Sequence, residues 1–240
     1  MIRELEVPTR DVLKQRGLSW MERQSARARP HMVVTTLHPF QQAEETLYTI
    51  HCDRLMGGFG HFSSRPNMKF YRGFFDPFVR GIDNPTRSHF AAVHLHQHRY
   101  SMKIYLAAMH CHIKRPWRTK ELHFGLYGQP PDPNVLFHVP GLIWKGKLCL
   151  KRPVFVFNDQ GAEVGRLHEP KGFDYRYWKK NGGGDRWPDG CDQTLELYLQ
   201  HVPENEKQML MDALVVTAVA LRGRSFIKWR NQRGPGTTGF

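Results

Sequence analysis

Hydrophobic and polar positions change rhythm along the chain. Residues 1–30 follow neither a helical nor a strand period, carry seven basic and four acidic side chains, and end at Pro30, which predicts a flexible or partly helical lead-in. From residue 32 short alternating or β-branched runs begin, at 32–37, 46–52, 68–71 and 89–106, separated by turn-forming clusters. Further strand runs are expected at 122–127, 135–139 and 142–150, with the Pro-rich stretch 129–134 as a stiff connection. Residues 154–157, 158–161 and 162–167 read as strand, loop ending in glycine and returning strand, the clearest hairpin in the chain. After a glycine-rich interruption at 179–190, alternation returns at 194–199.

The last element has a different character. Residues 209–221 are almost wholly apolar, follow the acidic Glu204 and Glu206, and end at Arg222-Gly223-Arg224, which predicts a helix over about 206–221. Leu210, Leu214, Val215, Val216, Val219 and Leu221 point to every side of such a helix, so it needs enclosure by protein. A run of 13 residues interrupted by Asp212 and Thr217 is shorter than the ~20 residues of a bilayer span. A sheet curled around that helix would bury it and close its own edges. The expected architecture is therefore mainly β: a closed antiparallel barrel over residues 31–222 around a central helix, followed by a basic, disordered tail at 223–240.

Composition adds an electrostatic constraint. With 35 Lys and Arg against 22 Asp and Glu, the chain carries a formal charge of +13, which favours polyanions as partners: anionic lipid, nucleic acid or acidic protein. Four scattered cysteines, Cys52, Cys111, Cys149 and Cys191, lack a CxxC pair and fit reduced thiols. Together with an opening that has no apolar signal core, this leads to an expected cytoplasmic location, with nuclear or peripheral membrane placement as variants.

Residues 89–96 running into 101–106, the hairpin at 154–167, and 195–199 leading into the apolar run at 209–221 together resemble the tubby C-terminal-like superfamily. This group comprises tubby, LURP-one-related and phospholipid scramblase-like proteins, and the likeness is to its fungal members. The resemblance implies a closed barrel threaded by a hydrophobic helix, and a noncatalytic role in binding phosphoinositide-containing membrane surfaces or a protein partner. Tubby proteins use basic side chains on the barrel wall, but no matching residue motif can be placed here, so no site is carried over. The palmitoylated cysteines and calcium segment of scramblases have no counterpart pattern.

Two basic clusters with an aromatic centre are candidate anion-binding positions: Lys114, Arg115, Arg118 and Lys120 around Trp117, and Lys145, Lys147, Lys151 and Arg152 around Trp144. Cations can hold phosphate while the ring stacks or enters an interface; a solvated strand face is the plainer account of each. His94, His96 and His98 alternate on one strand face, and His110 and His112 flank Cys111, so a histidine metal site is a weaker alternative. No HExxH, GxSxG, Rossmann or kinase signature accompanies them, and no catalytic residue or cofactor is assigned. RNA or DNA binding through the same basic surface is the rival to lipid or protein binding, without a recognised nucleic-acid motif.

Overall fold

The computed structural model of the chain describes residues 1–5, 8–27, 31–36, 45–52, 68–78, 89–95, 102–106, 109–114, 121–127, 141–146, 153–158, 160–168 and 192–231. The side chains of residues 4, 24–27, 95, 102–103, 109–114, 121–127 and 224–231 are outside that description. Twelve strands form one antiparallel sheet in which every strand pairs with its neighbours in sequence. They are β1 (Ile2–Glu4), β2 (Met32–Thr35), β3 (Thr46–Cys52), β4 (Met68–Arg72), β5 (Ala91–Leu95), β6 (Met102–Leu106), β7 (Met109–Lys114), β8 (Glu121–Tyr127), β9 (Leu142–Lys145), β10 (Val154–Phe157), β11 (Glu163–His168) and β12 (Thr194–Leu197). Ile2 also exchanges backbone hydrogen bonds with Gln193, beside β12, at 2.7 and 2.9 Å.

Three helices complete the described chain: α1 (Arg10–Gln15), α2 (Trp20–Arg27) and α3 (Glu204–Asn231). The expectation of a mainly β chain with one apolar C-terminal helix is met, and residues 212–223 of α3 are buried without interruption. Twelve consecutive residues make more than three turns, so every side of the helix is covered by protein. Its Ala213, Leu214, Val215, Val216, Ala218, Val219 and Ala220 share one core with Ile2, Ile50, Phe70, Val93, Ile104, Trp144, Val156 and Leu167 from eight or more strands' worth of sheet. Alternation produces this wall: in β10, Val154 and Val156 are buried while Phe155 and Phe157 are half-buried on the other face. No helix among the described residues is long and apolar enough to cross a membrane.

Several boundaries depart from the sequence reading. The lead-in is not separate from the sheet, because β1 pairs with β2 and Ile2 is fully buried. The stretch 89–106 is two paired strands rather than one run. Helix α3 continues through Gly223 to Asn231, so residues 223–231 are helix and not tail. A glycine inside a helix costs only about 1 kcal/mol relative to Ala, and Gly223 is buried, so packing overrides the stop signal. The strand expected at 135–139, the linkers at 129–134 and 179–190, and residues 232–240 lie outside the described residues.

Local chemistry sets the turns that matter for the outer surface. In the β10–β11 hairpin the Asn158 side chain accepts the Ala162 amide at 2.8 Å, and Gly161 takes the positive φ of 80° the loop requires. The α1–α2 elbow is built from two reciprocal motifs. Leu18 N–H donates to Leu13 C=O (3.2 Å) and Gly17 N–H to Lys14 C=O (2.9 Å), closing α1 in a Schellman arrangement with Gly17 at φ 77°. Ser19 N–H then donates to the Glu22 carboxylate (2.7 Å) while Glu22 N–H donates to Ser19 Oγ (3.3 Å), a capping box that opens α2. Leu13 and Leu18 pack with Phe78 in a small second core, which fixes the elbow to the body of the protein.

Candidate functional site

The second basic cluster is divided by the fold. Trp144 is 1% exposed, and its indole N–H donates to Thr217 Oγ1 of α3 at 3.1 Å. Thr217 in turn donates to Ala213 C=O at 2.8 Å, so the ring is a core ring anchored to the helix. It therefore offers no face to a ligand, which corrects the aromatic centre assigned to this cluster. Its neighbour Lys145 points the other way, exposed, with its ammonium 5.1 Å from the centroid of Phe157. Lys147, Lys151 and Arg152 lie outside the described residues.

Around Lys145 the outer face of β9–β12 brings together residues that sequence reasoning did not select. Register places Phe155 between Lys145 and Arg166. The Arg166 guanidinium lies 5.3 Å from the Phe155 ring centroid and 5.5 Å from that of Tyr198, and is ion-paired with Glu163. Glu196 accepts from the Tyr198 hydroxyl at 2.9 Å and lies 3.1 Å from His168. The Tyr198 hydrogen bond, and then that from His168, hold the Glu196 carboxyl below its ordinary range. Burial, and then the bond to Glu196, push the Tyr198 phenol up. Acids and bases on this face answer each other, so it is an aromatic and locally compensated wall rather than a bare cationic patch. The signal was in the alternation of β10, which puts Phe155 and Phe157 opposite to the core-facing valines.

Of the first cluster, Lys114 ends β7, in register with His123; its side chain and residues Arg115, Trp117, Arg118 and Lys120 lie outside the described set. Among the histidines, His94 is on β5 opposite Lys103, while His96 and His98 are outside the described residues. Among the described residues no group of three His, Cys, Asp or Glu side chains converges to hold a metal ion.

A second polar site lies where α3 meets β3 and β4. Asp212, buried, accepts from Tyr48 (2.7 Å) and Gln208 (2.8 Å) at one oxygen and from Arg72 (2.5 Å) at the other. Arg72 is largely exposed and lies 5.1 Å from the Phe90 ring centroid, closing the site from outside. Burial, and then the Asp212 bond, drive the Tyr48 phenol far above its ordinary value, so Tyr48 stays a neutral donor. Every oxygen of the carboxylate is engaged by the protein itself, which describes a fastening between helix and sheet.

A third surface is the α1–α2 elbow. Trp20 is 66% and Met21 76% exposed, at the first turn of α2, and the two helices with their flanks at residues 8–27 hold five basic and two acidic side chains. Single exposed apolar side chains are ordinary on a surface; Trp20 and Met21 differ from the exposed Phe74 in being adjacent, so two large apolar groups meet water at one place. The sequence signal was the Ser19-Trp20-Met21-Glu22 capping box after Gly17, which predicts a helix start.

Comparison with protein-family models, with curated proteins and with solved structures finds no match.

Proposed function

We propose that the sheet closes on itself around α3 as a tubby-like barrel, and that the protein is a noncatalytic module that docks on anionic membrane surfaces. The observation that carries the reading is the enclosure of residues 212–223 in a chain with a formal charge of +13. The most apolar helix is buried on all sides, so attraction to a partner is left to the exterior, where cationic side chains predominate over the sequence as a whole. Sequential pairing from β1 to β12 and the Ile2–Gln193 bridge support closure. The resemblance carried by residues 89–106, 154–167 and 195–221 supports the phosphoinositide-containing bilayer as the partner.

Each Lys or Arg held near an anionic bilayer contributes about 1 kcal/mol, and this fades within a Debye length of about 10 Å at moderate salt. The rigid wall would serve to hold those charges in a fixed array. The test is sedimentation of the purified protein with liposomes lacking or containing phosphoinositides, beside single-stranded RNA, across a salt titration. Preferential, salt-sensitive binding to phosphoinositide liposomes is expected. Preference for RNA at matched charge would replace this reading with nucleic-acid binding.

A further inference from the structure

We infer that the α1–α2 elbow is the membrane-inserting edge of the protein, with Trp20 and Met21 entering the interfacial layer of an anionic bilayer. This rests on the membrane reading above and adds the surface that makes contact.

The argument starts from how firmly the elbow is held. A solvent-exposed Trp and Met at the end of a loose segment would mean little, because such side chains can fold back. Here the Schellman closure of α1 and the Ser19–Glu22 capping box fix the backbone on both sides of the pair. The elbow is also tied down from below: Leu13 and Leu18 pack on Phe78, the Arg16 guanidinium pairs with Asp76 at 2.6 Å, and Arg23 donates to Leu18 C=O at 2.5 Å. The pair is therefore presented to solvent by the fold.

The chemistry of the presented surface selects the partner. Trp is amphipathic and favours the headgroup level of a bilayer, with its ring in the apolar boundary and its N–H in the wet layer. Met21 adds a flexible apolar chain, and the exposed Val12 of α1 adds another apolar position on the elbow. Arg10 and Lys14 are exposed on α1 within the same elbow. Across residues 8–27 the five basic side chains outnumber the two acids, Asp11 and Glu22. Apolar insertion combined with basic residues is the pairing that anionic lipid rewards, since neither term alone gives stable attachment.

The test uses the full-length protein with phosphatidylcholine vesicles containing or lacking phosphatidylserine and a phosphoinositide. Trp20→Ala combined with Met21→Ala is expected to weaken partitioning to the phosphatidylserine vesicles by about tenfold or more, with the thermal midpoint unchanged because both side chains are outside the core. Independently, vesicles of bromine-labelled lipid should quench wild-type fluorescence, and Trp20→Phe should diminish that quenching while the protein still sediments with the vesicles. Wild-type partitioning by the double variant, or undiminished quenching in Trp20→Phe, would overturn the elbow as the inserting edge and leave the membrane reading in place. Failure of the wild-type protein to bind either vesicle would overturn both.

Discussion

Asp212 sits one helical turn after Gln208 and accepts hydrogen bonds from that side chain, from Tyr48 and from Arg72. Replacing it with Ala leaves the buried Tyr48 phenol and the Arg72 guanidinium without this acceptor, while the Gln208 amide keeps the Tyr48 hydroxyl at 3.1 Å, and the expected loss in urea unfolding is about 3 kcal/mol. Tyr48→Phe keeps the other two donors on the carboxylate, so a smaller loss of about 1 kcal/mol is expected. Equal losses would mean that the carboxylate is not the hub. His89 gives a pH test at the same scale. Burial, and then the positive charge of Lys69, push its imidazole below the ordinary value of about 6.5. The unfolded chain then binds more protons than the folded one as pH falls below that value. His89 therefore costs nothing at neutral pH and lowers stability as pH drops through the depressed folded value. A histidine NMR titration should find this resonance below the ordinary range, and His89→Gln should flatten the acid limb of the stability profile. A titration at or above the ordinary value would contradict the account.

At the scale of elements, Gly165 in β11 marks a close approach that a side chain would break. A Cβ there would lie 2.6 Å from the Glu196 carbonyl oxygen and 3.3 Å from Val156, so strand β12 would have to move. Gly165→Ala is expected to destabilise by 1 kcal/mol or more, about the low end of overpacking costs, and a melting curve unchanged from wild type would argue that β11 and β12 are not packed this way. Elements were legible in the sequence where a period ran long enough to be seen. β3 alternates over residues 48–52, β10 and β11 flank a short loop that ends in Gly161, and the almost wholly apolar run of 13 residues in α3 needs no further signal. β1 was not legible because its three residues carry a single core position, Ile2, followed by the charged Arg3 and Glu4. The end of α3 was misplaced because Arg-Gly-Arg has the local form of a helix stop, while Gly223 is buried in the folded protein, which local sequence does not show. The outer aromatic wall was legible in part: alternation gives the side of the strand, but the meeting of Phe155 with Arg166 and Tyr198 depends on register.

For the whole molecule, what local pattern cannot carry is contact between distant segments. Tyr48 and Asp212 are 164 positions apart and Arg72 and Asp212 are 140 apart, so only the packing of α3 against the sheet brings them together. The same separation explains Trp144: its sequence neighbours are basic, which suggested a ligand face, while its partner Thr217 is 73 positions away on the helix. The charge of +13 was readable at once, but its distribution was not, because acids on β11 and β12 pair with the bases beside them. The central claim is that the sheet encloses α3, and thiol accessibility measures it most directly. Ala213, Leu214, Val215 and Val216 point about 100° apart and so sample all sides of the helix. Each would be replaced singly by Cys in a background with Cys52, Cys111, Cys149 and Cys191 changed to Ser, and challenged with a soluble thiol reagent under native conditions. All four thiols are expected to stay unlabelled until the protein unfolds. Prompt labelling at any one of them in the folded protein would show a side of the helix open to water and contradict enclosure.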